Sequence, residues 1–184
     1  YNAQGQLAQS TDPDGLTTLY AYNGRGELET TALDLANPGV LDFGGTDRLT
    51  RTTSLVENSA LRSTVVRKTV TEGWETNGVN QSTVLQTSET SADGTQTWQT
   101  QYGLTTHTTT ALDRANQRRT VTTTSPDDTS TVTVFEQGRQ KSVTRLDMNG
   151  ARVTQTTFAY DPFGRLATQT DARSGPTTYT YYDD

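Results

Sequence analysis

The chain has 184 residues, a formal net charge of −6 and 30% hydrophobic residues, and it contains no cysteine. The hydrophobic share is low for a globular domain, but the abundance of Thr, Val and Tyr favours strands over disorder. The acidic balance without a basic stripe argues against nucleic-acid binding. The missing cysteines exclude disulfides and thiolate metal sites, and no apolar run is long enough to span a membrane.

The first predicted elements are two strands and their turns. Gly5 comes four residues after Tyr1, and Asp12-Pro13-Asp14-Gly15 is a second turn signal. In such turns Asn or Asp bonds back to the backbone and Gly supplies a positive φ. We predict strands near 6–11 and 16–22. Alternation within the second strand places Tyr20 and Tyr22 on one face.

The middle of the chain breaks this pattern. Pro38-Gly39 and Gly44-Gly45 predict an irregular loop or insertion over residues 34–47. Divergent hairpins are expected over residues 48–92. Their strand candidates are 62–71 and 81–90, with a turn at Asn77-Gly78. Strands at 95–102 and 104–112 follow.

The pattern returns in the last part of the chain, over residues 93–184. Tyr160-Asp161-Pro162-Phe163-Gly164-Arg165-Leu166 repeats the opening unit, and Tyr22 to Leu28 begins another copy. A unit of about 20–22 residues with two turns predicts an antiparallel meander with two strands per repeat. Asp128 takes the place of the turn glycine in Ser125-Pro126-Asp127-Asp128.

The repeated unit resembles the YD-repeat, or Rhs-repeat, family, which includes bacterial Rhs proteins, shell subunits of insecticidal toxin complexes and teneurins. The resemblance is strongest over residues 1–33 and 160–184. The residues assigned to the structural repeat motif are Tyr1, Gly5, Leu7, Asp12, Gly15, Tyr20, Tyr22, Gly26, Leu28, Phe135, Gly138, Asp147, Gly150, Phe158, Tyr160, Asp161, Gly164, Leu166, Asp171, Gly175, Tyr179, Tyr181, Tyr182 and Asp183.

Aromatic pairs at i and i+2 predict a ladder along one face of the sheet. The pairs are Tyr20 with Tyr22, Phe158 with Tyr160, and Tyr179 with Tyr181. Cross-strand pairs of this kind contribute about 0.2–1 kcal/mol each. Trp74 and Trp98 with the tyrosines are also a candidate platform for stacking sugars, although ladder packing is the favoured interpretation.

Few residues offer catalytic or metal-binding chemistry. His107 is the single histidine, and we expect it on a strand surface, because a triad or a metal site needs several partners. The Asp-rich turns lack the ligand series of a calcium loop and are interpreted as hairpin turns. Arg139 and Arg165, each after a glycine, are expected to pair with acidic neighbours across the sheet. We therefore predict no enzyme activity, cofactor or metal.

The sequence predicts an all-β protein whose antiparallel repeats form a curved or spiralling sheet, part of a larger β-shell. The resemblance implies a secreted or cell-surface scaffold that encloses or presents another polypeptide, such as a C-terminal toxin. Its expected partners are the rest of the repeat array and, through unpaired sheet edges, another copy of the chain. An adhesin-type module that binds glycan or a partner surface is the alternative, and a hydrolase is a distant one.

Overall fold

A computed structural model of the chain describes residues 1–35, 38–74 and 80–182. These residues form strands joined by turns and loops, and no helix occurs among them. The strands are β1 (Gln9–Thr11), β2 (Thr17–Tyr22), β3 (Leu28–Asp34), β4 (Arg48–Ser59), β5 (Thr64–Trp74), β6 (Thr83–Ser91), β7 (Gln96–Gln101), β8 (Leu104–Asp113), β9 (Arg118–Thr124), β10 (Ser130–Glu136), β11 (Arg139–Leu146), β12 (Arg152–Tyr160), β13 (Leu166–Asp171) and β14 (Gly175–Thr178).

The strands follow one another in a single sheet, in the same order as in the sequence. Consecutive strands run antiparallel, as between β10 and β11 or β12 and β13. Short turns allow consecutive Thr-rich segments to pair antiparallel, and this pairing gives their backbone N–H and C=O groups hydrogen-bond partners. The predicted all-β, antiparallel strand-turn-strand architecture is confirmed. The predicted turn at Asn77-Gly78 and the motif residue Asp183 lie outside the described residues.

The chain divides into two compact units, the first consisting of Tyr1–Glu89 with Gln99–Gly103. Its core is a row across four strands, in which Leu19 faces Ala32, Ala32 faces Leu49, and Leu49 faces Trp74. All four side chains are buried. Burying a large apolar side chain stabilises a protein by about 1.5–3 kcal/mol, so this row holds β2 to β5 together.

The loop between β3 and β4 covers this row. Leu41 and Phe43 pack against it, and the Phe43 ring meets the edge of Trp74 with centroids 4.9 Å apart. Asp47, which is 2% exposed, accepts hydrogen bonds from the N–H groups of Leu35 at 2.9 Å and Asp42 at 3.1 Å. The segment interpreted from sequence as an irregular loop therefore completes the hydrophobic core.

The second unit consists of Thr90–Trp98 and Leu104–Asp184. Its buried hydrophobic residues are Trp98 and Val134. Thr is the commonest residue in β8 to β13, and many of its side chains there are half-buried. This unit has too few buried apolar side chains for a conventional two-layer core, so hydrogen-bonded turns and cross-strand contacts carry more of its stability.

Within the described residues no helix is both long enough and apolar enough to cross a membrane.

Candidate functional site: the motif turns

Five motif turns share one hydrogen-bonding pattern. In the turn at Asp12, Oδ1 accepts the N–H groups of Asp14 at 3.0 Å and Leu16 at 2.8 Å, while Gly15 N donates to the Asp12 carbonyl at 3.0 Å. The Asx side chain thereby satisfies turn donors that no strand partner reaches. The five turns begin at Asn2, Asp12, Asn23, Asp147 and Asp161.

The glycine of each turn lies in the left-handed region. The φ angles of Gly5, Gly26 and Gly164 are 77°, 81° and 85°, and the prediction of a common positive-φ turn is confirmed. Asp128, at φ 63°, replaces glycine in the turn at Ser125, as the sequence predicted. Asp and Asn adopt this conformation more readily than most other side chains.

A bulge immediately precedes three of these turns. The strand register shifts between Ala21 and Tyr22, between Arg145 and Leu146, and between Ala159 and Tyr160. Opposite Tyr20 lies Thr31, and opposite Phe158 lies Gln169. The predicted aromatic ladder is therefore wrong, because a bulge interrupts the alternation on which it depended.

The motif tyrosines instead bind the backbone of another strand through their hydroxyl groups. Tyr22 Oη donates to the Leu7 carbonyl at 2.9 Å, and Tyr181 Oη donates to the Leu166 carbonyl at 2.9 Å. Leu7 and Leu166 occupy the same position of the motif, two residues after the turn glycine. The same contact thus links one motif to the next at both ends of the chain.

The residue after a turn glycine also contacts the following motif. Gln6 Nε2 donates to the Gly26 carbonyl at 2.9 Å. The Arg139 guanidinium lies 5.7 Å from the centre of the Tyr160 ring and occupies the space where a Cβ on Gly164 would project. This position therefore joins successive turns, and the expectation that Arg139 pairs with an acid across the sheet is wrong.

Residues 1–37 match the family model described as RHS Repeat. This segment belongs to the RHS repeat family. No curated protein matches the chain. Outside the matched residues, the turn at Asp161 and the Tyr181 contact repeat the geometry found at Asn2 and Tyr22.

Arg165 completes the turn that begins at Asp161. It forms an ion pair with Asp161 at 2.8 Å, within one turn and not across the sheet as expected. Its guanidinium lies 5.1 Å from the Phe163 ring centre and 4.6 Å from that of Tyr181. Burial alone would raise the pKa of Asp161, but hydrogen bonds from the Arg165 side chain and backbone outweigh it and lower that pKa.

The two tryptophans considered for sugar stacking are buried. Trp74 and Trp98 are each 6% exposed. Trp98 stacks on the His107 ring with centroids 4.9 Å apart, and His107 Nε2 lies 3.3 Å from Gln96 Oε1. The tryptophan platform is therefore wrong, and His107 lies in β8 as a half-buried packing residue.

The described residues bring no catalytic set together. No cluster of three or more potential metal ligands occurs among them. Asp12 Oδ1 and Asp127 Oδ1 each accept hydrogen bonds within their own turns. The acidic side chains of these turns thus stabilise the turn backbone. Glu72 instead forms an ion pair at 2.8 Å with Arg51 on the neighbouring strand, and hydrogen bonds from Arg51 and Ser82 lower its pKa.

Proposed function

We propose that this chain forms part of the wall of a shell that encloses or presents another polypeptide, such as a toxin. The chain is a structural repeat scaffold. The supporting observation is the Tyr-hydroxyl contact between successive motifs, made by Tyr22 to Leu7 and by Tyr181 to Leu166. A contact that recurs at the period of the repeat allows an array to extend by adding units.

The use of polar groups inside the repeat also supports a scaffold. The Asx oxygens accept backbone N–H groups, and the motif tyrosines donate to backbone carbonyls. Groups already engaged in this way contribute to shape and rigidity and are not available to bind a substrate. We infer that the partners are the rest of the repeat array and an enclosed polypeptide, in a secreted or cell-surface setting.

Limited proteolysis of the longest natural chain that carries these residues tests the enclosure. The protein is digested under native conditions, and the cleavage sites are mapped by mass spectrometry. We expect a contiguous region outside the repeats to resist cleavage until urea unfolds the repeats. Cleavage of every region outside the repeats at the rate of the isolated polypeptide would contradict enclosure.

A further inference from the structure

A groove of about 340 Å³ opens to solvent in the second unit. It lies beside strands β10, β11 and β12 and the β9–β10, β11–β12 and β13–β14 turns. Two arginines, one aspartate and several hydroxyl groups form much of its wall: Arg145, Arg173, Asp147, Ser130, Thr131 and Thr154. The motif turns do not use these arginines, so their role is separate from that of the repeat contacts.

The backbone fixes the position of both arginines. Arg145 faces Thr131 on one side and Thr154 on the other, in the registers of β10 with β11 and β11 with β12. Arg173 lies in the turn between β13 and β14, where its N–H donates to Asp171 Oδ1 at 2.9 Å. Strands lie about 4.8 Å apart, so the long side chains of Arg145 and Arg173 can reach a common ligand.

Neither guanidinium is neutralised within the part of the chain that the structure describes. Some other arginines have carboxylate partners, as Arg62 has Glu89 at 2.7 Å and Arg165 has Asp161 at 2.8 Å. Arg145 and Arg173 have no ion-pair or hydrogen-bond partner for their side chains among the described residues.

The two nearest acidic side chains serve their own turns. Asp147 Oδ1 accepts the N–H groups of Asn149 and Ala151, and Asp171 Oδ1 accepts those of Arg173 and Ser174. The groove wall therefore carries two guanidinium groups and one carboxylate, that of Asp147, and is net positive on a chain whose net charge is −6.

We propose that this groove binds sulfate or phosphate groups carried on a saccharide. The planar guanidinium matches the oxygens of such groups and can donate two hydrogen bonds to one of them. The Ser and Thr hydroxyls of the wall can both donate to and accept from sugar hydroxyls. A peptide that binds by adding a strand does not fit, because β10 to β13 are each paired on both sides.

Titration of the purified chain at constant ionic strength tests the proposal. The probe is a sulfated disaccharide, followed by the resonances of Thr131 and Thr154 in nuclear magnetic resonance spectra. The same disaccharide without sulfate and inorganic sulfate alone are the comparison ligands. We expect the sulfated sugar to bind at least about tenfold more tightly than either, and Arg145→Ala or Arg173→Ala to weaken it about tenfold.

Arg67→Ala is the matched control, because it removes the same charge from an exposed position of β5 in the first unit. It should leave binding unchanged. If Arg67→Ala weakened binding of the sulfated sugar as much as Arg145→Ala does, the groove would not be the binding site, and the attraction would be non-specific. Inorganic sulfate that binds as tightly as the sulfated sugar, or a phosphopeptide that binds more tightly, would overturn the assignment to a saccharide.

Discussion

Substitution of Gly164 by alanine tests how one repeat fits against the next. The residue has φ 85°, and the left-handed conformation costs a residue with a Cβ about 1–2 kcal/mol. The new Cβ would also collide with the Arg139 guanidinium and displace it from the Tyr160 ring. An exposed cation-π contact of this kind contributes about 0.5–1 kcal/mol. We therefore expect a total loss of about 1.5–3 kcal/mol, and a larger one for valine.

Gly150→Ala is the matched control. Gly150 has nearly the same φ, 78°, but nothing lies within 4 Å of the position that its Cβ would take. This variant should lose only the backbone cost, about 1–2 kcal/mol. The free energy of unfolding is measured by urea denaturation with far-ultraviolet circular dichroism. In an Arg139→Ala background, Gly164→Ala and Gly150→Ala should lower the free energy of unfolding by the same amount. Equal losses with Arg139 present would refute the contact between turns.

Three further predictions follow from the buried and hydrogen-bonded groups. Asp47→Ala should destabilise the first unit by about 2–3 kcal/mol in the same urea assay, because two loop N–H groups lose their acceptor; a loss below about 0.5 kcal/mol would contradict this. Tyr22→Phe should cost about 0.5–1.5 kcal/mol, whereas Tyr182→Phe, at a position 96% exposed, should cost nothing measurable. Glu72 and Asp161 have pKa values lowered by folding, so their stabilisation is present above their unfolded pKa values and is lost as the pH falls through the folded ones. Thermal unfolding followed by circular dichroism should therefore show a falling Tm below about pH 5, and a Tm that rises on acidification would contradict the assignment.

The turns could be predicted from the sequence because their causes are local. An Asx residue, a glycine three residues later and the alternation that follows are sufficient to specify the turn at Asp12 or Asp161. Asp128 could be assigned to the glycine position for the same reason, since the surrounding residues kept the pattern. The strands and their antiparallel order follow from these turns.

The contacts between strands could not be predicted in this way. A one-residue bulge before Tyr22 or Tyr160 changes which residues face each other, and the sequence carries no distinct signal for it. The loop that ends at Asp47 resembled an insertion by composition, although Phe43 completes the core. The sequence did contain one signal for this contact. Leu41 and Phe43 lie between two Gly-containing turns, and they give the loop apolar side chains to bury.

The central claim is that successive strands pair only with their neighbours in the chain, as a repeat scaffold requires. Cross-strand nuclear Overhauser contacts between backbone protons test it most directly. We expect contacts between Leu49 and Trp74 and between Thr131 and Arg145, which face each other in consecutive strands. Strong backbone contacts between strands that are not consecutive, as in a two-layer sandwich, would contradict the account.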